Sequence, residues 1–227
     1  MLNYEVSMCN AFDRVVTMTK EDAAYLQSYA RRAKVRPIPI GIDAEYFQPA
    51  AHRSSDRPIQ IVFVGYFRHT PNVKAAEFLL EEIAPHFPTV EFIIAGSYLP
   101  ERLQKRSNAV FPGYIGDTRE LFHGPNTIFA APLFSGTGQR VKLLEAFAMG
   151  AAVITTSVGA AGFSVVHGQH AMIADTPEEF RIAVAALISS SDLRAALGKE
   201  ARQMILDQFT WDRIGREFLR LVEDKEM

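Results

Sequence analysis

The sequence predicts an α/β fold, a parallel sheet sandwiched by helices, and three observations carry that expectation. Short β-branched runs alternate with amphipathic segments of helical period over most of the chain. The runs are continuously apolar rather than alternating, as strands covered on both faces are. Four of the five are closed by glycine or proline (Gly65, Gly96, Pro112-Gly113, Pro132), where a strand gives way to a loop. Strand–helix alternation of this kind is built with right-handed crossovers.

In chain order, Arg14-Val15-Val16-Thr17-Met18 reads as a strand, and Thr19 as the cap of a helix reaching about Ala30. Val35 to Asp43 is extended, because Pro37 and Pro39 each bias the residue before them away from helix. Ala50 to Pro58 is polar and reads as a linker. Ile61–Val64 is the first strand of the main domain. Val73 to Ile83 follows as a helix, with Ala76, Leu79 and Ile83 at spacings of three and four and Pro85 ending it. Further strands are Glu91–Ala95, Ala109–Phe111, Thr127–Ala131 and Ala152–Thr156. An apolar helix after Arg140 is terminated by Gly150. Thr176-Pro177-Glu178-Glu179 has the form of a capping box with proline at the first helical position. Helices from Ser191 to about Gln208 and from Trp211 to Val222 close the chain. One strand and one helix cannot make a core alone, so the first 50 or so residues read either as the remnant of another domain or as an appendage to the C-terminal one.

Composition narrows the function. The chain has 227 residues, 48% hydrophobic and 22% charged, the make-up of a soluble globular protein. Lys and Arg number 24 against 26 Asp and Glu, a net charge of −2, which argues against a protein built to neutralise nucleic-acid phosphates. No apolar run approaches the roughly 18 residues needed to cross a bilayer. The first residues lack a secretory pattern, and a single cysteine, Cys9, excludes a disulfide scaffold. A cytoplasmic location is expected. The basic run Arg31 to Arg36 reads first as a solvated helix end and second as a peripheral contact at the inner membrane face. The six histidines show no metal-ligand clustering.

In an open parallel sheet, ligands bind beyond the carboxyl ends of the strands. The loops there are Gly65 to Asn72, Gly96 to Pro100, Gly113 to Asp117, Phe134 to Arg140 and Ser157 to Phe163. The most informative is Phe134-Ser-Gly-Thr-Gly-Gln-Arg-Val-Lys-Leu-Leu-Glu-Ala-Phe-Ala-Met-Gly150. It feeds a helix whose free N–H groups favour an anion. Arg140 and Lys142 add two positive charges to the end where the helix dipole disfavours them, a conflict that a phosphate or diphosphate would remove. The loop is neither a P-loop nor the dinucleotide fingerprint, since Val141 stands where the third glycine belongs. Glu145 lies among apolar neighbours, where a carboxylate needs a partner. That partner is either Lys142, one helical turn back, or the hydroxyls of a sugar such as a ribose diol.

Together these residues resemble a known signature. Gly136-x-Gly138-x-Arg140-x-Lys142-x-x-Glu145-Ala146-x-Ala148-x-Gly150 looks like the donor site of retaining GT-B glycosyltransferases of the group 1, or family 4, type. Phe12 to Thr17, Pro39-Ile40-Gly41-Ile42-Asp43, Val64-Gly65-x-Phe67-x-x-x-Pro71-Asn72 and Phe209-Thr210-Trp211 extend the similarity along the chain. The resemblance implies a Rossmann-like C-terminal half of a GT-B fold over 58–210, a truncated acceptor-domain remnant and linker over 1–57, and a closing helix over 211–227 packing back toward the hinge.

It also implies a nucleoside-diphosphate sugar as donor, with retention and without a metal or other cofactor. Gly138, Arg140, Lys142 and Leu143 would hold the diphosphate, Glu145 the ribose, and the backbone at Tyr114 and Ile115 the base. Gly65, Arg68, Asn72 and Thr137 are candidate contacts to the donor sugar or its phosphates. Catalytic groups are expected in the N-terminal domain, of which only the remnant is present. The chain departs from the pattern at Thr137, where the family usually carries a second glutamate, and in the loop after Gly65, which lacks the usual Arg and Lys. A non-catalytic nucleotide-sugar binding subunit that needs a partner chain fits the same residues. A GT-B epimerase is a further alternative. The unpaired strand at Val15 leads to an expectation of self-association or partner binding through residues 1–35.

Overall fold

The computed structural model describes residues 2–49, 58–122 and 124–223. The linker expected over 50–58 lies, save Pro58, outside the described residues.

Two sheets are formed. In the smaller, β1 (Arg14–Thr17) pairs in parallel with β2 (Lys34–Pro37), Val15 opposite Val35. A helix, α2 (Lys20–Tyr29), joins them, preceded by α1 (Leu2–Cys9). The Thr19 side chain caps α2 by accepting the Asp22 N–H, and Glu21 and Asp22 sit in the first turn where the dipole favours them. Ala23, Ala30, Ala33, Val35 and Cys9 make a small core of their own. The expectation of a single strand is corrected here: the chain around Val35 is a second strand, and β1 has a partner on one edge.

The main sheet has six parallel strands in the order β5-β4-β3-β6-β7-β8. They are β3 (Gln60–Val64), β4 (Glu91–Ala95), β5 (Ala109–Gly113), β6 (Thr127–Ala131), β7 (Ala152–Thr155) and β8 (Met172–Ile173). Ile61, Val62 and Phe63 of β3 and Ile128 and Phe129 of β6 are almost wholly buried, as central strands covered on both faces must be. The strand order reverses between β3 and β6. In sheets of this kind such a reversal opens a crevice beyond the carboxyl ends, where ligands bind.

The helices are α3 (Thr70–Glu77), α4 (Val141–Ala148), α5 (Ser157–Ala160), α6 (Pro177–Ser189), α7 (Ser191–Gln208) and α8 (Trp211–Glu223). The helix expected from Val73 starts three residues earlier, because Pro71 fits the first turn, where no N–H is needed. Beyond Glu77 it widens into a π-helical turn, Phe78–Ile83, that buries Leu79, Leu80 and Ile83, and Pro85 lies in the 3-10 turn that follows. The capping box at Thr176 and Glu179 forms as the sequence predicts. Strand β7 ends at Thr155, and Thr156 instead caps α5.

The segment after β2 lies along the main domain. Ile42 N–H donates to Phe209 O at 2.8 Å, Trp211 N–H donates to Ile42 O at 3.3 Å, and the Arg202 guanidinium holds the carbonyls of Ala44 and Phe47. The start of α8 thus packs on Gly41, where a Cβ would lie 2.6 Å from the Trp211 ring.

Candidate functional site

Two loops face each other across the switch point: one from β3 into α3, the other from β6 into α4. In the first, the Asn72 amide donates to Tyr66 O at 2.9 Å, folding the loop back on itself. Gly65 is buried beneath it, and a Cβ there would approach Asn72 Cβ to 3.1 Å. Arg68 turns outward and stacks at 4.0 Å over the Tyr98 ring.

In the second loop, Gly136 and Gly138 take φ of +110° and +77°, conformations that other residues rarely adopt. The loop carbonyls of Thr137 and Gly138 accept from Arg140 Nη1. Its other terminal nitrogen, Nη2, is buried with no hydrogen-bond partner among the described residues. Burial lowers the Arg140 pKa. The Lys142 ammonium crosses the crevice to Asn72 Oδ1 at 2.7 Å and lies 4.6 Å above the Phe63 ring. Burial, reinforced by Arg140 and opposed by Glu145, pushes its pKa down to about 7. No carboxylate pairs with Arg140 or Lys142 among the described residues.

Glu145 has a partner that the sequence did not suggest: its Oε2 accepts the Thr118 hydroxyl at 3.1 Å, while the Lys142 amine bonds to Asn72. Burial, with Asp117 adding to it, raises the Glu145 pKa against the Thr118 hydrogen bond and the Lys142 charge. Thr118 is held in a turn that Asp117 and Arg119 brace: Arg119 pairs with Asp117 and stacks at 3.6 Å over Tyr46. The Tyr114 side chain is exposed at the mouth of the same loop, and Ile115 packs against the core. Thr137 is exposed on the glycine loop.

Gly138, Arg140 and Lys142 therefore gather at the start of α4, Asn72 meets Lys142 from the facing loop above Gly65, and Glu145 bonds to Thr118 in the loop that follows Tyr114 and Ile115. Leu143 differs: its N–H already donates to Arg140 O at 2.9 Å, so the first-turn amides without a backbone acceptor among the described residues are those of Val141 and Lys142. Arg68 stacks on Tyr98. Sequence reasoning missed Thr118 and Gln139, which carry no local motif. The rings of His167 and His170 serve the backbone, accepting from Ile173 N–H and Val166 N–H. No cluster of three or more potential metal ligands forms among the described residues. Nor, among them, is any helix long and apolar enough to cross a membrane.

Residues 58–190 match the family described as glycosyl transferases, group 1. The chain belongs to that family. It is 24% identical over 132 residues to an uncharacterized glycosyltransferase of Methanocaldococcus jannaschii, a match covering 57% of this chain and 32% of that protein. Among solved structures it is similar to the sucrose-phosphate synthase of Thermosynechococcus elongatus (TM-score 0.80, 20% identity, 98% of this chain and 61% of that one). It is equally similar to HepE of Anabaena in complex with UDP (TM-score 0.83, 17% identity, 98% and 67%). The C-terminal domain of a group 1 glycosyl transferase from Francisella tularensis is covered in full by 75% of this chain, at TM-score 0.59 and 19% identity. At these identities the likeness establishes the fold, that of the GT-B glycosyltransferases. This group 1 chain spans about a third of the curated relative and 61% of the synthase.

Proposed function

We propose that the crevice between β3 and β6 binds a nucleoside-diphosphate sugar and serves the donor side of a glycosyl transfer. One observation carries this reading: two desolvated basic groups, Arg140 and Lys142, stand at the start of α4 with no carboxylate in ion-pair contact among the described residues. A diphosphate supplies the missing charge, and the free N–H groups of Val141 and Lys142 supply hydrogen bonds to it. Glu145 and Thr118 then face the ribose, and the backbone at Tyr114 and Ile115 the base. HepE of Anabaena was solved with UDP and with UDP-glucose, the ligand class this arrangement suits.

In the proposed reaction, the bond between the sugar's anomeric carbon and the β-phosphate oxygen breaks as an acceptor hydroxyl adds to that carbon on the same face, with retention. Charge grows on the departing diphosphate. Arg140, Lys142 and the α4 amides are preorganised to hold it, which is how such a site stabilises a transition state without a metal. In this proposal the acceptor and the groups that manage its proton belong to a second α/β domain, to which the β1–α2–β2 unit contributes. Titrating UDP, GDP and ADP by calorimetry tests the reading: heat with at least one is expected, and none from a folded sample would overturn it.

A further inference from the structure

Gln139 lies between Gly138 and Arg140 in the loop entering α4, and only 8% of it is exposed. Its Oε1 accepts the Ile40 N–H at 2.7 Å, a bond between residues 99 apart in the chain. Because the Ile40 group is a backbone donor, the oxygen must face it, and the carboxamide cannot be turned over. Nε2 is therefore left on the far side, buried, with no acceptor among the described residues. A buried amide nitrogen without a partner is kept against a desolvation cost. An apolar side chain of equal length would avoid that cost but would leave the Ile40 amide unpaired.

The two ends of this bond differ in firmness. Ile40 belongs to a segment fixed to the main domain two residues later, through Ile42, Phe209 and Trp211. On the other side, Phe134 to Thr137 are exposed, and no described residue lies within 4 Å of where a Cβ of Gly138 would be. Gly162 completes the contact: a Cβ there would lie 3.7 Å from Gln139 and 3.0 Å from the Thr19 methyl, at the cap of α2. Gln139 is thus where the glycine loop, the chain after β2 and the start of α2 meet.

We propose that Gln139 is a positioning residue: its bond to Ile40 holds the α4-entry loop and ties occupancy of the Arg140–Lys142 site to the seating of residues 14–40. The identity of the occupant rests on the proposed function. Such coupling is reciprocal: whatever steadies the loop steadies the N-terminal unit, and the converse.

Hydrogen exchange read by mass spectrometry on the full chain, with and without UDP, GDP or ADP, tests it together with calorimetry. In the ligand-free protein, Gln139→Met is expected to speed exchange at Ile40 and over 134–143 while β3 and β6 keep their protection. Gln139→Glu, which retains an acceptor for Ile40, should restore protection there. A bound diphosphate should slow exchange over 19–40 in the native protein and not in Gln139→Met, whose affinity should fall on the order of tenfold. A purely structural role would lower the melting temperature and leave the ligand-induced protection in place. Unchanged exchange at Ile40 and 134–143 in a folded Gln139→Met, or persistence of the ligand effect, overturns the proposal. Should Gln139→Met not fold, the native protein still decides: a bound nucleotide that leaves exchange at Ile40 unaltered overturns it. If no nucleotide binds the native protein, the proposed function falls, while the ligand-free comparison still judges Gln139.

Discussion

Lys142 of α4 and Asn72 of α3 meet across the sheet's switch point, Nζ donating to Oδ1 at 2.7 Å. An amide oxygen satisfies one ammonium proton but neutralises no charge, so the lysine stays poised between its two forms. With its pKa pushed down to about 7 by burial, it is charged below that pH and neutral above it. A bound diphosphate stabilises the charged form and raises the pKa. Nucleoside diphosphate affinity should therefore fall as pH rises above 7, by up to about tenfold per unit. Calorimetric titrations between pH 6 and 9 check this, with Lys142→Met expected to bind more weakly and to lack the dependence.

The same residue sets a stability trend of definite sign. The native state gives up the Lys142 proton near pH 7, whereas the unfolded chain keeps it to about 10.5. Between those values the unfolded state binds more protons, so stability rises with pH across that window. Below it, the cost of burying the charge is borne in full. Lys142→Met should raise the melting temperature most at pH 6, with the gain shrinking toward pH 10. A gain that grew with pH would mean that burial does not disfavour the charged lysine.

In the proposed complex Glu145 faces the ribose while Arg140 and Lys142 face the diphosphate, so the two contacts are separable by mutation. The Glu145 carboxylate accepts from Thr118 and lies a turn beyond the cations. A hydrogen bond to a charged group contributes about 1.5–3 kcal/mol, so Glu145→Ala should weaken nucleoside diphosphate binding on the order of 10- to 100-fold. Inorganic pyrophosphate, which has no ribose, should bind the variant as it binds the native protein. Equal losses for both ligands would show Glu145 acting through α4 rather than on the sugar.

The strands were legible because burial on both faces demands unbroken apolar runs: Ile61-Val62-Phe63 and Ile128-Phe129 are such runs, and both are buried. The cap at Thr176 was legible because its partners stand within one turn. Strand β8 was not, since two residues become a strand only by pairing with Ile154 and Thr155. Nor was α5, whose four residues span one turn and show no period. At the site, Arg140, Lys142 and Glu145 announce themselves as charges in an apolar helix. Thr118 and Gln139 are ordinary loop residues, and their partners lie 27 and 99 positions away. Only the folded chain brings them together.

Two glycines in neighbouring helices should respond to the same substitution with opposite sign. Alanine favours a helix over glycine by about 0.8–1 kcal/mol, and both Gly198 of α7 and Gly215 of α8 are helical. No described residue lies within 4 Å of a Cβ at Gly215, so Gly215→Ala should stabilise by roughly that amount. At Gly198 the Cβ would lie 2.1 Å from the carbonyl oxygen of Gly150. That oxygen cannot step aside as a flexible side chain would: Gly150 ends α4 with φ +65° and leads directly into β7. The helices would have to separate, and overpacking of this kind costs about 1–3 kcal/mol. Gly198→Ala should therefore lower the melting temperature, by roughly 2–4 °C for each kcal/mol lost. Because α7 backs α4, the same variant should also weaken nucleoside diphosphate binding, which Gly215→Ala should leave unchanged. Thermal melts and calorimetry on the two variants decide the matter, and a stabilised Gly198→Ala would show that α4 and α7 do not cross as closely as this geometry requires.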